Sequence, residues 1–277
     1  MKIQYLGTAA YEGVPSLFCN CGVCRRSMEA GGRNLRSRSQ ALINGELLVD
    51  FPADTVWHFQ KYGLDWNRIS DCLITHSHSD HLYPEDVMMA ERAYSNEHRP
   101  LRFYAGQDGC DKLHALAKEA CRQGAIRVSL IRPGERFYVG EGEKYSVMPL
   151  WANHEEKTSP VIYSIASGNR RILYGNDTGI FPEETWKGLR AEGRYDLISF
   201  DCTGCLGLNG GWRDGHMSFQ TNMEMLERMK KEKLADEKTV VVLNHFSHNG
   251  GQTYDEMVLE AEKRGVIVAF DGMEIEV

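Results

Sequence analysis

One nine-residue stretch constrains this chain more than any other: "LITHSHSDH", residues 73–81. An apolar strand ends at Thr75, and His76, His78, Asp80 and His81 follow in a tight turn. Alternation along an extended segment sends His76 and His78 to the same side, with Asp80 and His81 continuing round the turn. Imidazole and carboxylate together suit zinc, iron or manganese. Four such groups in one loop exceed what a single open metal site takes from one place, so the spacing points to two metals sharing a site. Any fold adopted must bring further ligands to this turn. His154 follows "YSVMPLWAN", Asp177 follows "RRILYGN" and His245 follows "TVVVLN". Each lies just past the C-terminal end of a predicted strand, where the loops of an α/β sheet gather ligands.

The rest of the chain agrees with such a sheet. Short apolar or β-branched runs alternate with helical patterns, and helices are predicted at 84–97, 109–123, 182–192, 218–233 and 254–264. Pro84 and Pro182 suit first turns, and Ser218 suits an N-cap. No repeat, low-complexity tract or Pro/Ser-rich linker divides the 277 residues, and with 42% hydrophobic residues they read as one α/β domain, 1–277. The N-terminal apolar stretch is too short for a signal peptide and no window reaches transmembrane length, so a cytoplasmic protein without a membrane partner is expected. A net charge of −7, with only the short basic run "RNLRSRS" (33–39) against it, counts against a long nucleic acid as partner.

Eight cysteines in such a chain fit metal ligands or small buried residues better than a disulfide framework. "CNCGVC" supplies Cys19, Cys21 and Cys24, three thiolates that need one more ligand to close a tetrahedral zinc. Cys202 and Cys205 in "DCTGCLG" compete with His248 for that place; their alternative is an inert loop pair.

The order HxHxDH, then His, Asp and His, resembles the metallo-β-lactamase superfamily, whose fold is a four-layer αββα sandwich with a two-metal site at one edge of the sheets. "YLGTAAYEGVP" is similar to the family's opening strand and loop, and "LLVDFPADT" to its strand-then-Asp element. The resemblance implies that His76, His78 and His154 hold one metal, that Asp80, His81 and His245 hold the second, and that Asp177 bridges them. Asp50 is then either an orienting partner for a ligand histidine or a loop-capping residue. "CNCGVC" with "HFSH", together with "RSRSQALI" and "FDGMEIEV", further resembles the phosphoribosyl 1,2-cyclic phosphate phosphodiesterases. That subgroup implies His248 as the fourth ligand of a structural zinc at loop 19–24.

This resemblance implies a metal-dependent phosphodiesterase acting on a small phosphorylated substrate, 5-phosphoribosyl 1,2-cyclic phosphate as first guess. Two divalent ions, zinc or manganese, would carry a bridging hydroxide that attacks in line, with Asp80 among the catalytic ligands. His216, in "RDGHMSFQ", is the candidate acid for the departing oxygen, because imidazole titrates near working pH. Arg33, Arg36 and Arg38 are candidates to meet a substrate phosphate. His58, His98 and His114 lack obvious partners and read as surface or packing residues. The alternatives are a tRNA 3′-processing endonuclease, whose basic arm is not evident here, a thioester or β-lactam hydrolase, and a noncatalytic metal carrier of coenzyme biosynthesis. Helix 84–97 would serve as a lid or as a homodimer interface.

Overall fold

The computed structural model describes residues 1–207 and 211–277. Among these residues the chain forms two seven-stranded sheets laid face to face. The first takes β1 (Lys2–Gly7), β2 (Gln40–Ile43), β3 (Leu47–Val49), β4 (Asp71–Leu73), β5 (Leu101–Ala105) and β6 (Ile126–Leu130). The second takes β7 (Phe137–Val139), β8 (Tyr145–Trp151), β9 (Val161–Ser167), β10 (Arg170–Gly175), β11 (Leu197–Asp201), β12 (Val240–Asn244) and β13 (Ile267–Val268). The last strand, β14 (Met273–Glu276), returns to the first sheet and pairs antiparallel with β1. Each sheet is antiparallel along one half and parallel along the other; β3 to β6 and β10 to β13 are the parallel runs.

The period-2 pattern decides which side chain enters which layer. Leu47 and Val49 point between the sheets, where they meet residues such as Val147, Tyr163 and Ile172, whereas Leu48 joins the outer core. Ile172 and Tyr174 likewise face inward while Leu173 faces out. The outer face of the first sheet is covered by α2 (Thr55–Tyr62), α4 (Gln107–Leu116) and α5 (Lys118–Arg122), following α1 (Gly22–Ala30) and the short α3 (Pro84–Val87) in chain order. The second sheet is covered by α6 (Glu183–Glu192), α7 (Phe219–Lys231) and α8 (Tyr254–Glu262). These are the expected αββα layers, and the C-terminal ends of the parallel strands open at one rim.

Several boundaries differ from expectation. The helix predicted over 84–97 stops at Val87, runs on as one 3₁₀ turn, Met88–Ala90, and turns extended at Glu91. The reason lies eight residues on: His98 Nε2 takes the Ala90 carbonyl (2.8 Å) that a continuing helix would offer to Tyr94. A lid or interface built on one long helix is therefore ruled out there. The predicted helix 109–123 is two, broken at Ala117, whose backbone leaves the helical region. Helices α1 and α2 and strand β7 were not expected. Cys21 caps α1 by accepting from the Cys24 amide, and Gly63 ends α2 in the left-handed conformation (φ 62). Ser218 opens α7 in a capping box with Thr221, as its position suggested. No described helix is long and apolar enough to cross a membrane.

Candidate metal centre

Four strand ends deliver the predicted ligands to the rim. His76, His78, Asp80 and His81 follow β4, His154 follows β8, Asp177 follows β10 and His245 follows β12. The backbone is held in unusual conformations where they arrive: Asp177 (φ 51), His245 (φ 60) and the supporting Asp50 (φ 69) are left-handed without being glycine. Such geometry persists only where the surroundings fix it.

The side chains form two adjoining groups, His76–His78–His154 and Asp80–His81–Asp177–His245. In the first, His78 Nδ1 lies 2.9 Å from His76 Nε2 and 3.3 Å from His154 Nε2. In the second, His81 Nε2 lies 3.3 Å from both His245 Nε2 and Asp80 Oδ2. Asp177 sits between the groups. Its Oδ2 is 2.5 Å from His81 Nε2 and 2.9 Å from His245 Nε2, and its Oδ1 is 3.8 Å from His154 Nε2.

The ring nitrogens not facing the centre are tied elsewhere. His81 Nδ1 meets Asp50 Oδ2 at 2.7 Å, His154 Nδ1 meets the Gly215 carbonyl at 3.0 Å, His245 Nδ1 meets Thr203 Oγ1 at 2.8 Å and His78 Nε2 meets Glu155 at 3.0 Å. Donation to the Asp50 and Glu155 carboxylates and to the Gly215 carbonyl places the protons on the outer nitrogens, which leaves lone pairs converging on a common centre. Buried lone pairs 3.3 Å apart repel unless a cation lies among them. Ligands about 2.0–2.1 Å from a tetrahedral metal stand about 3.3 Å from one another, so the set fits a divalent ion. Asp177 Oδ2, buried and without a hydrogen bond of acceptable geometry, is the acceptor such an ion would satisfy.

Charge is unevenly spread across the two groups. Burial opposes charging His245, but Asp177 and Asp201 outweigh it and hold its pKa up to about 10. His76 is pushed well down, by burial and by the neighbouring His81. The Asp80 side therefore carries the surplus negative charge that a cation would replace a proton to neutralise.

Asp50 accepts from both His81 and the Thr75 amide (2.8 Å), so it orients a ligand histidine and caps the loop at once. His216 stands at the same rim, its Nδ1 3.0 Å from Asp201 Oδ2 and its ring stacked on His245 at 5.6 Å. Burial would lower its pKa, but Asp201 and then Asp177 raise it. Asp201 and Thr203 were missed from sequence. Asp201 ends an apolar strand just as Asp50 and Asp177 follow theirs, and that position was the available signal. A third missed group is Ser77, which donates to Asp108 and is gripped by Lys112 Nζ through its carbonyl at 2.8 Å, tying the histidine loop to α4.

A second cluster lies behind His245. Cys19, Cys21, Cys24 and His248 gather, with His248 Nδ1 3.6 Å from Cys19 Sγ and 3.5 Å from Cys21 Sγ. Bond lengths of about 2.3 Å to sulfur and 2.0–2.1 Å to nitrogen put tetrahedral S and N ligands about 3.5 Å apart, so zinc fits here too. The Cys24 amide, and to a lesser degree His248, lower the Cys21 thiol to about 6. Cys202 and Cys205 are buried free thiols outside this group, and Cys205 instead packs against Gly250.

The arginines are engaged away from these groups. Arg36 is buried on Thr8 Oγ1 and the Ala269 carbonyl and stacks on Phe246, Arg33 lies over Phe270, and Arg38 pairs with Asp54. His98 and His114 are exposed, whereas His58 is fully buried with partners the sequence did not disclose, Gln40 Oε1 (2.6 Å) and Ser37 Oγ (2.7 Å).

Comparison with known proteins agrees with this geometry. A family model described as a beta-lactamase superfamily domain matches residues 53–246. Among solved structures, the chain is similar over its full length to a diphosphatase from the PhnP family (TM-score 0.73, 19% identity, 97% of that chain). It is similar to Zn²⁺-bound PqqB from Methylobacterium extorquens (0.74, 19%, 100% of each chain). A third likeness is human tRNase Z, short form (0.64, 20%, 100% of this chain and 99% of that one). Among curated proteins, none matches significantly by sequence.

Proposed function

The chain belongs to the metallo-β-lactamase superfamily, and from that premise we propose that it is a metal-dependent phosphodiesterase acting on small phosphate diesters. The observation that carries this reading is the convergence of seven His and Asp side chains with their lone pairs facing one another, beside a protonated-leaning histidine. His76, His78 and His154 would hold one divalent ion, Asp80, His81 and His245 another, and Asp177 both; zinc or manganese suits these donors. Cys19, Cys21, Cys24 and His248 would hold a structural zinc, which thiolates favour.

Bound divalent ions supply Lewis acidity, activating water and offsetting the charge on a phosphate. The protein's own part is positional. Asp50, Thr203 and the Gly215 carbonyl fix the tautomers of His81, His245 and His154, so that each presents a bare nitrogen. Asp201 holds His216 by Nδ1, which leaves Nε2 to face the substrate. Against the effect of burial, Asp201 and then Asp177 raise its pKa, which favours the protonated ring that would give a proton to the departing oxygen. The first substrate we propose is 5-phosphoribosyl 1,2-cyclic phosphate.

Metal analysis followed by turnover of bis-p-nitrophenyl phosphate, with and without chelator, tests the proposal. Chelator-sensitive hydrolysis is expected, reduced about 10²–10⁴-fold in His216→Ala on a diester with a poor leaving group. Metal-replete protein inert toward a panel of diesters would sink the reading in favour of a metal carrier.

A further inference from the structure

Beside the metal centre is a cleft of about 690 Å³ that the chemistry above leaves unused. His154 forms part of its wall, and the rest comes from the loops after β5, β6 and β8 and from the start of α6. A volume in the range of roughly 300–1,000 Å³ seats a whole small molecule. A bare ribosyl cyclic phosphate would fill little of it.

Trp151, the last residue of β8 and three before His154, gives the cleft its character. Its carbonyl accepts from Thr185 Oγ1 at 2.5 Å, and its outer ring edge lies over Gly134, where a Cβ would come within 3.0 Å of Cη2. The indole is thus held from behind while 39% of the residue stays exposed. Leu130, 42% exposed, lines the same cleft. At the polar edge, the one ionic partner of Arg132 among the described residues is the loosely placed Glu135 at 3.7 Å, and Gln107 and Glu184 stand nearby on the lining. A flat apolar surface flanked by both donors and acceptors matches a planar heterocycle with a polar rim.

We propose that this cleft seats the heteroaromatic base of a nucleotide diester, stacked on Trp151 with Gln107, Arg132 and Glu184 at its edge, while the phosphate lies at the metal centre. This rests on the phosphodiesterase reading and takes it past 5-phosphoribosyl 1,2-cyclic phosphate, which has no aromatic ring to stack. Stacking of a base on an aromatic side chain contributes about 1–3 kcal/mol, or about 5- to 150-fold in affinity.

Calorimetric binding to the metal-loaded protein separates the contributions, with AMP and ribose 5-phosphate as probes. AMP is expected to bind at least about tenfold more tightly. Trp151→Ala should bring AMP down to the level of ribose 5-phosphate and leave ribose 5-phosphate unchanged, whereas Trp151→Phe should keep most of the difference. Equal affinities in the wild type, no measurable AMP binding, or parallel loss of both probes in Trp151→Ala would overturn the proposal. Turnover tells the two readings apart. Thymidine 5′-(p-nitrophenyl phosphate) should show a lower KM than methyl p-nitrophenyl phosphate, and only the former should depend on Trp151. Hydrolysis of both with one KM defeats the base cleft alone; Trp151-dependent AMP binding without hydrolysis of any diester defeats the phosphodiesterase alone.

Discussion

The two metal-competent clusters differ in how they are built, although one short turn carries a member of each. The seven-residue group at the rim is assembled from four strand ends, is mostly buried, and has its imidazoles braced from behind by Asp50, Thr203, Glu155 and the Gly215 carbonyl. The cysteine group takes three ligands from one six-residue loop and a single distant one, His248, with Cys19, Cys21 and His248 all partly exposed. Bracing on that scale serves ligands that must hold their positions while the metal stays open to a substrate. A closed Cys₃His set needs less, because four ligands hold the ion and one another. The matched superfamily segment, 53–246, contains the first group except for its support Asp50, and it stops short of every ligand of the second. The cysteine group joins the N-terminal loop to the turn after His245.

The sharpest way to break this comparison is to remove one ligand from each. Asp177→Ala should lower kcat by at least about a thousandfold and deplete the rim metals, with the cysteine zinc retained. Next in size, Asp50→Asn and Thr203→Val should weaken rim-metal affinity about 10- to 100-fold, read by competition with a chelator, because His81 and His245 lose their orientation. Asp50 also caps the loop at Thr75, so Thr203→Val is the cleaner of the two. His248→Ala should lose one zinc per chain and lower Tm by about 5 °C, on the order of 2 kcal/mol, while kcat changes by less than tenfold. If His248→Ala and His245→Ala lost the same metal and the same activity, the division into two sites would be wrong.

The rim group was legible because its chemistry is written as apolar strand followed by His or Asp, and strand periodicity survives in sequence. Both layers of the sandwich follow from the same signal. What failed was set by contacts between distant positions. Nothing around residue 90 announces that His98 will take its carbonyl, so the helix over 84–97 looked continuous. Helix α1 was hidden because its capping residue is Cys21, and a cysteine cluster reads as a metal loop rather than as a helix start. The strand-end position of Asp201 did not by itself assign its partner, because the supporting role of Asp201 and Thr203 depends on β11 lying in parallel register beside β12, which brings Asp201 opposite Asn244, next to His245. Trp151 had no signal at all: an aromatic at a strand end is ordinary until a cleft forms in front of it.

His58 supplies the smallest test and a control for both clusters, since it is as buried as His81 yet belongs to neither. Nδ1 donates to Gln40 Oε1, and Nε2 lies 2.7 Å from Ser37 Oγ, a hydroxyl that also reaches Asp271. Burial, and then the charge of Lys61, lower its pKa to about 3, the reverse of His245, where carboxylates raise it to about 10. The folded state therefore resists a proton that the unfolded chain accepts below about pH 6.5. Stability is full above that pH and falls as pH drops from about 6.5 toward 3, by up to about 1.4 kcal/mol per unit. Acid also strips metals, so the comparison belongs between metal-free wild type and metal-free His58→Gln, in urea melts at pH 7, 6 and 5. The wild type should lose about 1.2 kcal/mol more than the variant between pH 6 and 5. Parallel curves would mean that His58 is protonated in the fold, and that burial alone does not separate this histidine from the ligands.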